Sequence, residues 1–183
     1  MNILIFGASG SGTTTLAQEL GKRLQWKTLD TDAYYWKKTH PPFQQKIPLH
    51  IRQEQLRADV ESAQHVIVSG SLVSWGRYWE TAFDLAVFLR IPHDIRMHRL
   101  LLREKSRYGE QLASDLDLQA NSMAFLQWAS HYDDPEFEGR SIRQHEQWMK
   151  VLRCPVLRIE GDTSVKERLG LLLTQITPGL GSE

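Results

Sequence analysis

Gly7-Ala8-Ser9-Gly10-Ser11-Gly12-Thr13-Thr14 follows directly on the apolar run Ile3-Leu4-Ile5-Phe6. The order is a short buried strand, a loop with three glycines, and an amphipathic stretch carrying Leu16, Leu20 and Leu24 on one stripe. Glycines let a backbone wrap closely around an anion. Successive N–H groups and the start of the following helix then point at that anion. The phosphate-binding pattern known as Walker A is glycine, four residues, glycine, lysine, then serine or threonine. Every fixed position is matched except one, because Thr13 stands where the lysine belongs. Residues Gly7, Ala8, Ser9, Gly10, Ser11, Gly12, Thr13, Thr14 and Thr15 are therefore expected to cradle a polyphosphate, with the Thr14 hydroxyl on a magnesium ion. The alternative is an ordinary glycine-rich turn from strand to helix.

The chain has 183 residues, with 22 Lys plus Arg balanced by 22 Asp plus Glu. At roughly 150 residues per domain this is one domain, residues 1–183. A zero net charge disfavours a generally basic nucleic-acid binder, and with it a nucleotide-dependent regulator of DNA topology. Cys154 is the one cysteine, which excludes an internal disulfide and a cysteine-rich zinc site. The N-terminal apolar run is too short for a signal-peptide core. No stretch approaches the roughly 20 apolar residues of a membrane span. The expectation is a cytoplasmic protein with no membrane partner.

Apolar runs alternate with amphipathic stretches. Strands are predicted at Ile3–Phe6, Trp26–Leu29, Val66–Val68, Leu85–Ile91 and Val156–Ile159. Helices are predicted at Thr14–Leu24, Leu49–Ala63, His93–Tyr108, about 114–131, about 140–152 and Val165–Ile176. Residues 33–48, with Pro41, Pro42 and Pro48, read as mostly irregular. Strands this apolar, separated by helices, form a parallel sheet covered on both faces. Residues 109–150 carry helices with no strand between them and are placed as a lid-like helical insertion.

Gly7 to Leu16, GASGSGTTTL, resembles the opening of the adenylate kinase-like P-loop kinases, which include nucleoside and nucleotide, shikimate and gluconate kinases. In length and strand pattern the resemblance covers nearly the whole chain, although only the loop is motif-specific. It implies the P-loop NTPase fold with a five-stranded parallel sheet, ATP with Mg²⁺, and phosphoryl transfer to a small acceptor, a nucleoside or nucleotide first. Thr13 departs from the pattern. Losing a lysine on the β- and γ-phosphates costs on the order of 3 kcal/mol. Either another cation takes its place or the chain is a nucleotide-binding module with little catalysis.

Asp30 and Asp32 follow the second strand, where ligands gather in a parallel sheet. One carboxylate suits the acceptor hydroxyl as a base, and the other suits magnesium. Asp32 is taken first as the base, with Asp30 second, and Asp32 with Thr14 is also a candidate for the metal. Tyr35 and Trp36 are candidate acceptor contacts. After the third strand, Gly70 fits a close approach of backbone to the acceptor, and Trp75 and Arg77 could clamp an anion. Arg96, Arg99, Arg103 and Arg107 recur within one arc about 80° wide on the long helix. The resemblance implies arginines that grip ATP from this position, Arg99 and Arg103 first. It also makes Arg140 and Arg143 candidates to close on the transferring phosphate. No histidine pair has metal spacing.

Overall fold

The computed structural model describes residues 1–176. Five strands pair in parallel: β1 (Asn2–Gly7), β2 (Lys27–Asp30), β3 (Val66–Ser69), β4 (Leu85–Arg90) and β5 (Val156–Glu160). Their order across the sheet is β2-β3-β1-β4-β5. The helices are α1 (Thr13–Leu24), α2 (Thr31–Tyr35), α3 (Leu49–Glu61), α4 (His93–Tyr108), α5 (Gln111–Ser114), α6 (Leu116–Ser130), α7 (Ile142–Met149) and α8 (Val165–Ile176). Short 3-10 turns lie at Arg77–Glu80 and His131–Asp133.

The period of two along β1 sends its side chains to two separate cores. Leu4 and Phe6 pack with Leu56, Val60, Trp79 and Trp148, the side covered by α3 and α7. Ile3 and Ile5 pack with Leu16, Leu20, Leu172 and Ile176, the side covered by α1 and α8. A strand buried on both faces has no polar alternate positions, which is why β1, β3 and β4 read as unbroken apolar runs. With β1 between β3 and β4, the chain departs to opposite sides of the sheet beside Gly7, the crevice where open α/β sheets bind ligands.

The predicted strands and long helices are present, with ends moved by local capping. The irregular stretch gives up a turn of helix: the Asp30 carboxylate accepts from the Asp32 N–H at 3.0 Å and starts α2. Asp115 caps α6 through the Leu118 N–H, and Ser141 caps α7 through that of Gln144, so both helices begin later than their apolar patterns predict. Of residues 109–150, α5 and α6 pack beside α4 while α7 lies over the sheet; Glu104 of α4 accepts from Ser122 of α6 at 2.9 Å and from Arg107 at 3.1 Å. No helix among the described residues is long and apolar enough to cross a membrane.

Candidate active site

The glycine loop joins β1 to α1. Ser11 N–H donates to Ala8 O at 3.1 Å, closing the turn, and Leu16 N–H donates to Gly12 O at 3.0 Å, opening the helix. Gly12 is the N-cap at φ 88°, a left-handed position, and has no side chain with which to cap. The first N–H groups of α1 are thus left to an outside acceptor.

Thr14, in the first turn of α1, donates its hydroxyl to Asp30 Oδ2 at 2.9 Å. The other Asp30 oxygen is held by the Asp32 N–H. Two cis ligands of an octahedral Mg²⁺ at 2.0–2.1 Å stand about 2.9 Å apart. Thr14 and Asp30 are thus spaced as two oxygen donors that could together hold a magnesium ion. Among the described residues no group of three or more His, Cys, Asp or Glu is arranged to hold a metal ion. The sequence reading paired Thr14 with Asp32 for a metal; in the structure the Thr14 hydroxyl bonds to Asp30 instead.

The Asp32 carboxylate has no hydrogen-bond partner among the described residues. Asp32 is exposed, yet protein atoms gather closely about its carboxyl. The loss of surrounding water pushes its carboxyl above the usual carboxylate range, and Asp30 adds to the rise. Arg140, Arg103 and Arg107 act in the opposite sense, which locates all three guanidinium groups around it. Arg140 also lies over the Trp128 ring at 5.1 Å and Arg103 over Phe125 at 5.6 Å. The three cations thus act on Asp32 at a distance, two from α4 and one from the turn before α7, with no ion pair to it among the described residues.

The arginine arc of α4 does not act as one surface. Arg96 is buried, donating to Ser9 O at 3.3 Å, to Ala129 O at 3.0 Å and to Asp133 at 3.2 Å. It ties the glycine loop to the end of α6. Arg99 forms an ion pair with Asp162 at 2.6 Å, in the loop after β5. Of the four, Arg103 and Arg107 act on the charge of Asp32, while Arg107 pairs with Glu104 and lies over Phe43 and Arg103 lies over Phe125. An 80° arc at the reach of an arginine spans several neighbours, and each side chain meets a different one. Arg143 is exposed on α7 and Arg77 is exposed at the start of its 3-10 turn; neither joins the charges around Asp32.

Between Tyr35 and Trp75 lies an arginine the sequence reading passed over. Arg52 of α3 is sandwiched between the rings of Tyr35 at 4.2 Å and Trp75 at 4.8 Å. Its Nε is buried without a partner among the described residues. Trp75 is itself a core residue, and its carbonyl accepts from Gln53 Nε2. Trp36 is half-buried, bridged to Lys46 and set against Tyr35 and Phe43. A signal for Arg52 was available. A basic residue in the first turn of a helix opposes the helix dipole, and such a local conflict marks a task other than folding. Gly70, at φ 108°, lets β3 run close to β2: a Cβ there would stand 1.9 Å from Thr31 Oγ1.

Under this floor is a buried polar chain. His145 is fully buried on α7, with Ser71 Oγ at 2.9 Å from Nε2 and the Tyr132 hydroxyl at 2.7 Å from Nδ1. A neutral ring donates at one nitrogen and accepts at the other, and either hydroxyl can take either role. Burial, helped by Arg140, pushes the His145 pKa down to about 3. The unfolded chain protonates near pH 6.5. The stabilising contribution is thus complete above that pH and is lost as the pH falls from 6.5 toward 3. It declines by about 1.4 kcal/mol per unit, so about 2 kcal/mol goes between pH 6.5 and 5. Denaturant unfolding of wild type and His145→Gln over this range should show a steeper fall for wild type; parallel curves would contradict the buried neutral ring.

The sheet order, the glycine loop on β1 and the acid pair after β2 define the P-loop kinase fold. The AAA domain family matches residues 3–124, and the chain belongs to it. It is 44% identical over 176 residues to the uncharacterized protein YqaC of Bacillus subtilis (strain 168), spanning 96% of this chain and 97% of that one. Shikimate kinase from Acinetobacter baumannii in complex with shikimate aligns with a TM-score of 0.55 at 16% identity, over 100% of this chain and 95% of that one. Deoxyadenosine kinase from M. mycoides with bound dATP aligns at 0.59 and 14% identity, over 97% and 99%. At such identities the fold is what is shared.

Proposed function

We propose that the chain is an ATP-dependent kinase of the adenylate kinase-like class, transferring phosphate to the hydroxyl of a small acceptor that also carries an anionic group. A nucleotide is the first candidate and a sugar acid the second. The observation that carries this reading is the division of labour between the two carboxylates: Asp30 is bound to the loop through Thr14, while Asp32 stands two residues on with its oxygens unclaimed.

When bound, ATP supplies the transferable phosphoryl group and Mg²⁺ neutralises the charge between its phosphates. The chain's own residues do the rest. Backbone N–H groups of the loop and of α1 hold the phosphates. Thr14 and Asp30 hold the metal. Asp32 would orient the acceptor hydroxyl and take its proton as phosphate is transferred to it. A carboxylate with a raised pKa is the better proton acceptor. Arg103, Arg107 and Arg140 face the charge that develops there. Arg52, fixed by its two rings, offers the free edge of its guanidinium to the acceptor's anion.

The test is turnover with Mg-ATP against nucleoside monophosphates, neutral nucleosides and hydroxy acids. Phosphorylation of an anionic hydroxyl compound is expected, with Arg52→Gln raising its KM at least tenfold, the scale of one charge-assisted bond, and leaving the KM for ATP in place. Tight ATP binding without turnover on any acceptor would favour the rival reading that Thr13 suggests, a nucleotide-binding module.

A further inference from the structure

Thr13 leaves the loop without its usual cation, and the fold places another one behind it. Arg168, in the first turn of α8, is 2% exposed. Its Nη1 donates to Ser11 O at 2.9 Å and its Nε to Thr163 Oγ1 at 2.9 Å. Nη2 is buried with no partner among the described residues. A Cβ on Gly12 would lie 3.3 Å from Nη1, so the guanidinium is pressed against the Ser11–Gly12 peptide.

This cation is poorly matched by acids. Asp162 and Glu167 act on it electrostatically, but each is engaged elsewhere: Asp162 pairs with Arg99 at 2.6 Å, and Glu167 accepts from both the N–H and the hydroxyl of Ser164 at 2.7 Å. No carboxylate lies within ion-pair distance of Arg168 among the described residues. A buried charge is expensive unless it is compensated. Its place in the first turn of a helix adds to the cost, because the dipole there favours an anion. The nearest place for an anion is the glycine cradle.

We propose that Arg168 is the positioning residue that stands in for the loop lysine. By donating to Ser11 O it polarises the Ser11–Gly12 amide. The Gly12 N–H on that amide has no acceptor among the described residues, whereas the Ser11 N–H is spent on Ala8 O. Polarising the carbonyl strengthens the N–H as a donor. A polyphosphate in the cradle then meets a stronger donor in front and a net positive charge behind. The proposal rests on the nucleotide-binding reading above, and it predicts that front and back cations are interchangeable.

The experiment is calorimetry with inorganic tripolyphosphate and with Mg-ATP, on wild type, Arg168→Gln, Arg168→Lys, Thr13→Lys and the double variant Thr13→Lys/Arg168→Gln. Arg168→Gln should weaken tripolyphosphate at least tenfold and flatten the salt dependence of binding, since one charge is gone. Arg168→Lys keeps the charge and should stay within about threefold. Thr13→Lys should restore most of the affinity in the Gln background and add little in the wild type, a non-additivity that a merely structural arginine would not produce. Equal tripolyphosphate affinity in wild type and a folded Arg168→Gln overturns the proposal and leaves nucleotide binding standing, as does a tenfold loss in Arg168→Lys, the variant that decides the matter if Gln prevents folding. Failure of wild type to bind any triphosphate removes both.

Discussion

Asparagine at position 32 is expected to lower turnover by roughly 10²–10⁴-fold, the usual range for a general base. The change keeps the shape of the side chain and removes its charge and its capacity to take a proton. Affinity for ATP should stay within about twofold, because the phosphates are held by a separate loop through backbone groups. The reason for assigning the loss to chemistry is geometric. Among the described residues the Asp32 carboxylate supports no capping bond and no ion pair, whereas Asp30 carries both the α2 cap and the Thr14 bond. Asp30→Asn should instead weaken the magnesium dependence of binding. Steady-state turnover, paired with calorimetry for ATP, separates the two. Normal turnover in Asp32→Asn would end the base assignment. Loss of ATP binding with the acceptor still bound would exchange the roles of the two acids. Tyr35, Trp36 and Trp75 lie beside one another, so tryptophan fluorescence reports acceptor binding independently of turnover.

Valine at position 12 should abolish ATP binding to the limit of calorimetric detection. Gly12 sits at φ 88°, where a β-branched residue is a true outlier. Strain of this kind costs about 1–3 kcal/mol. The added Cβ would also meet the Arg168 guanidinium at 3.3 Å and press the loop away from it. The fold should survive, since the loop contributes little to either core and both are built from strand and helix residues. Circular dichroism confirms that the variant is folded. ATP binding at wild-type strength would show that nucleotide does not sit in this cradle.

The sheet was legible because its strands are buried on both faces. Val66-Ile67-Val68 and Leu85 to Leu89 have no other explanation than a covered parallel sheet, and both form one. The loop was legible because its function lies in backbone, and glycine spacing is visible in the letters. The arginines were not. Arg96, Arg99, Arg103 and Arg107 look equivalent on a helical wheel, yet one braces Ser9 and Ala129, one pairs with Asp162, and two act on the charge of Asp32. What separates them is the set of neighbours supplied by α6 and by the loop after β5, which periodicity within one helix does not encode. Arg52 and Arg168 were passed over for a related reason. Each is an isolated basic residue in a first helical turn, with no motif around it, and its meaning comes from aromatic rings or carbonyls far away in sequence. His145 shares this property: its partners Ser71 and Tyr132 lie 74 and 13 residues away.

The contact between Gly70 and Thr31 fixes an order of evolutionary change. The ends of β2 and β3 interlock so closely that any side chain at position 70 would collide with the Thr31 hydroxyl. Even with that hydroxyl gone, φ 108° at position 70 disfavours every L-residue. Position 31 is free to drift toward serine or alanine, which only loosens the fit. Position 70 has no such first step. The placement of both acids therefore depends on a residue that has no side chain and follows a different strand, β3. A lineage that lost Gly70 would lose the alignment of Asp30 and Asp32 without altering either, so descendants could drift out of catalysis while keeping every reactive group intact.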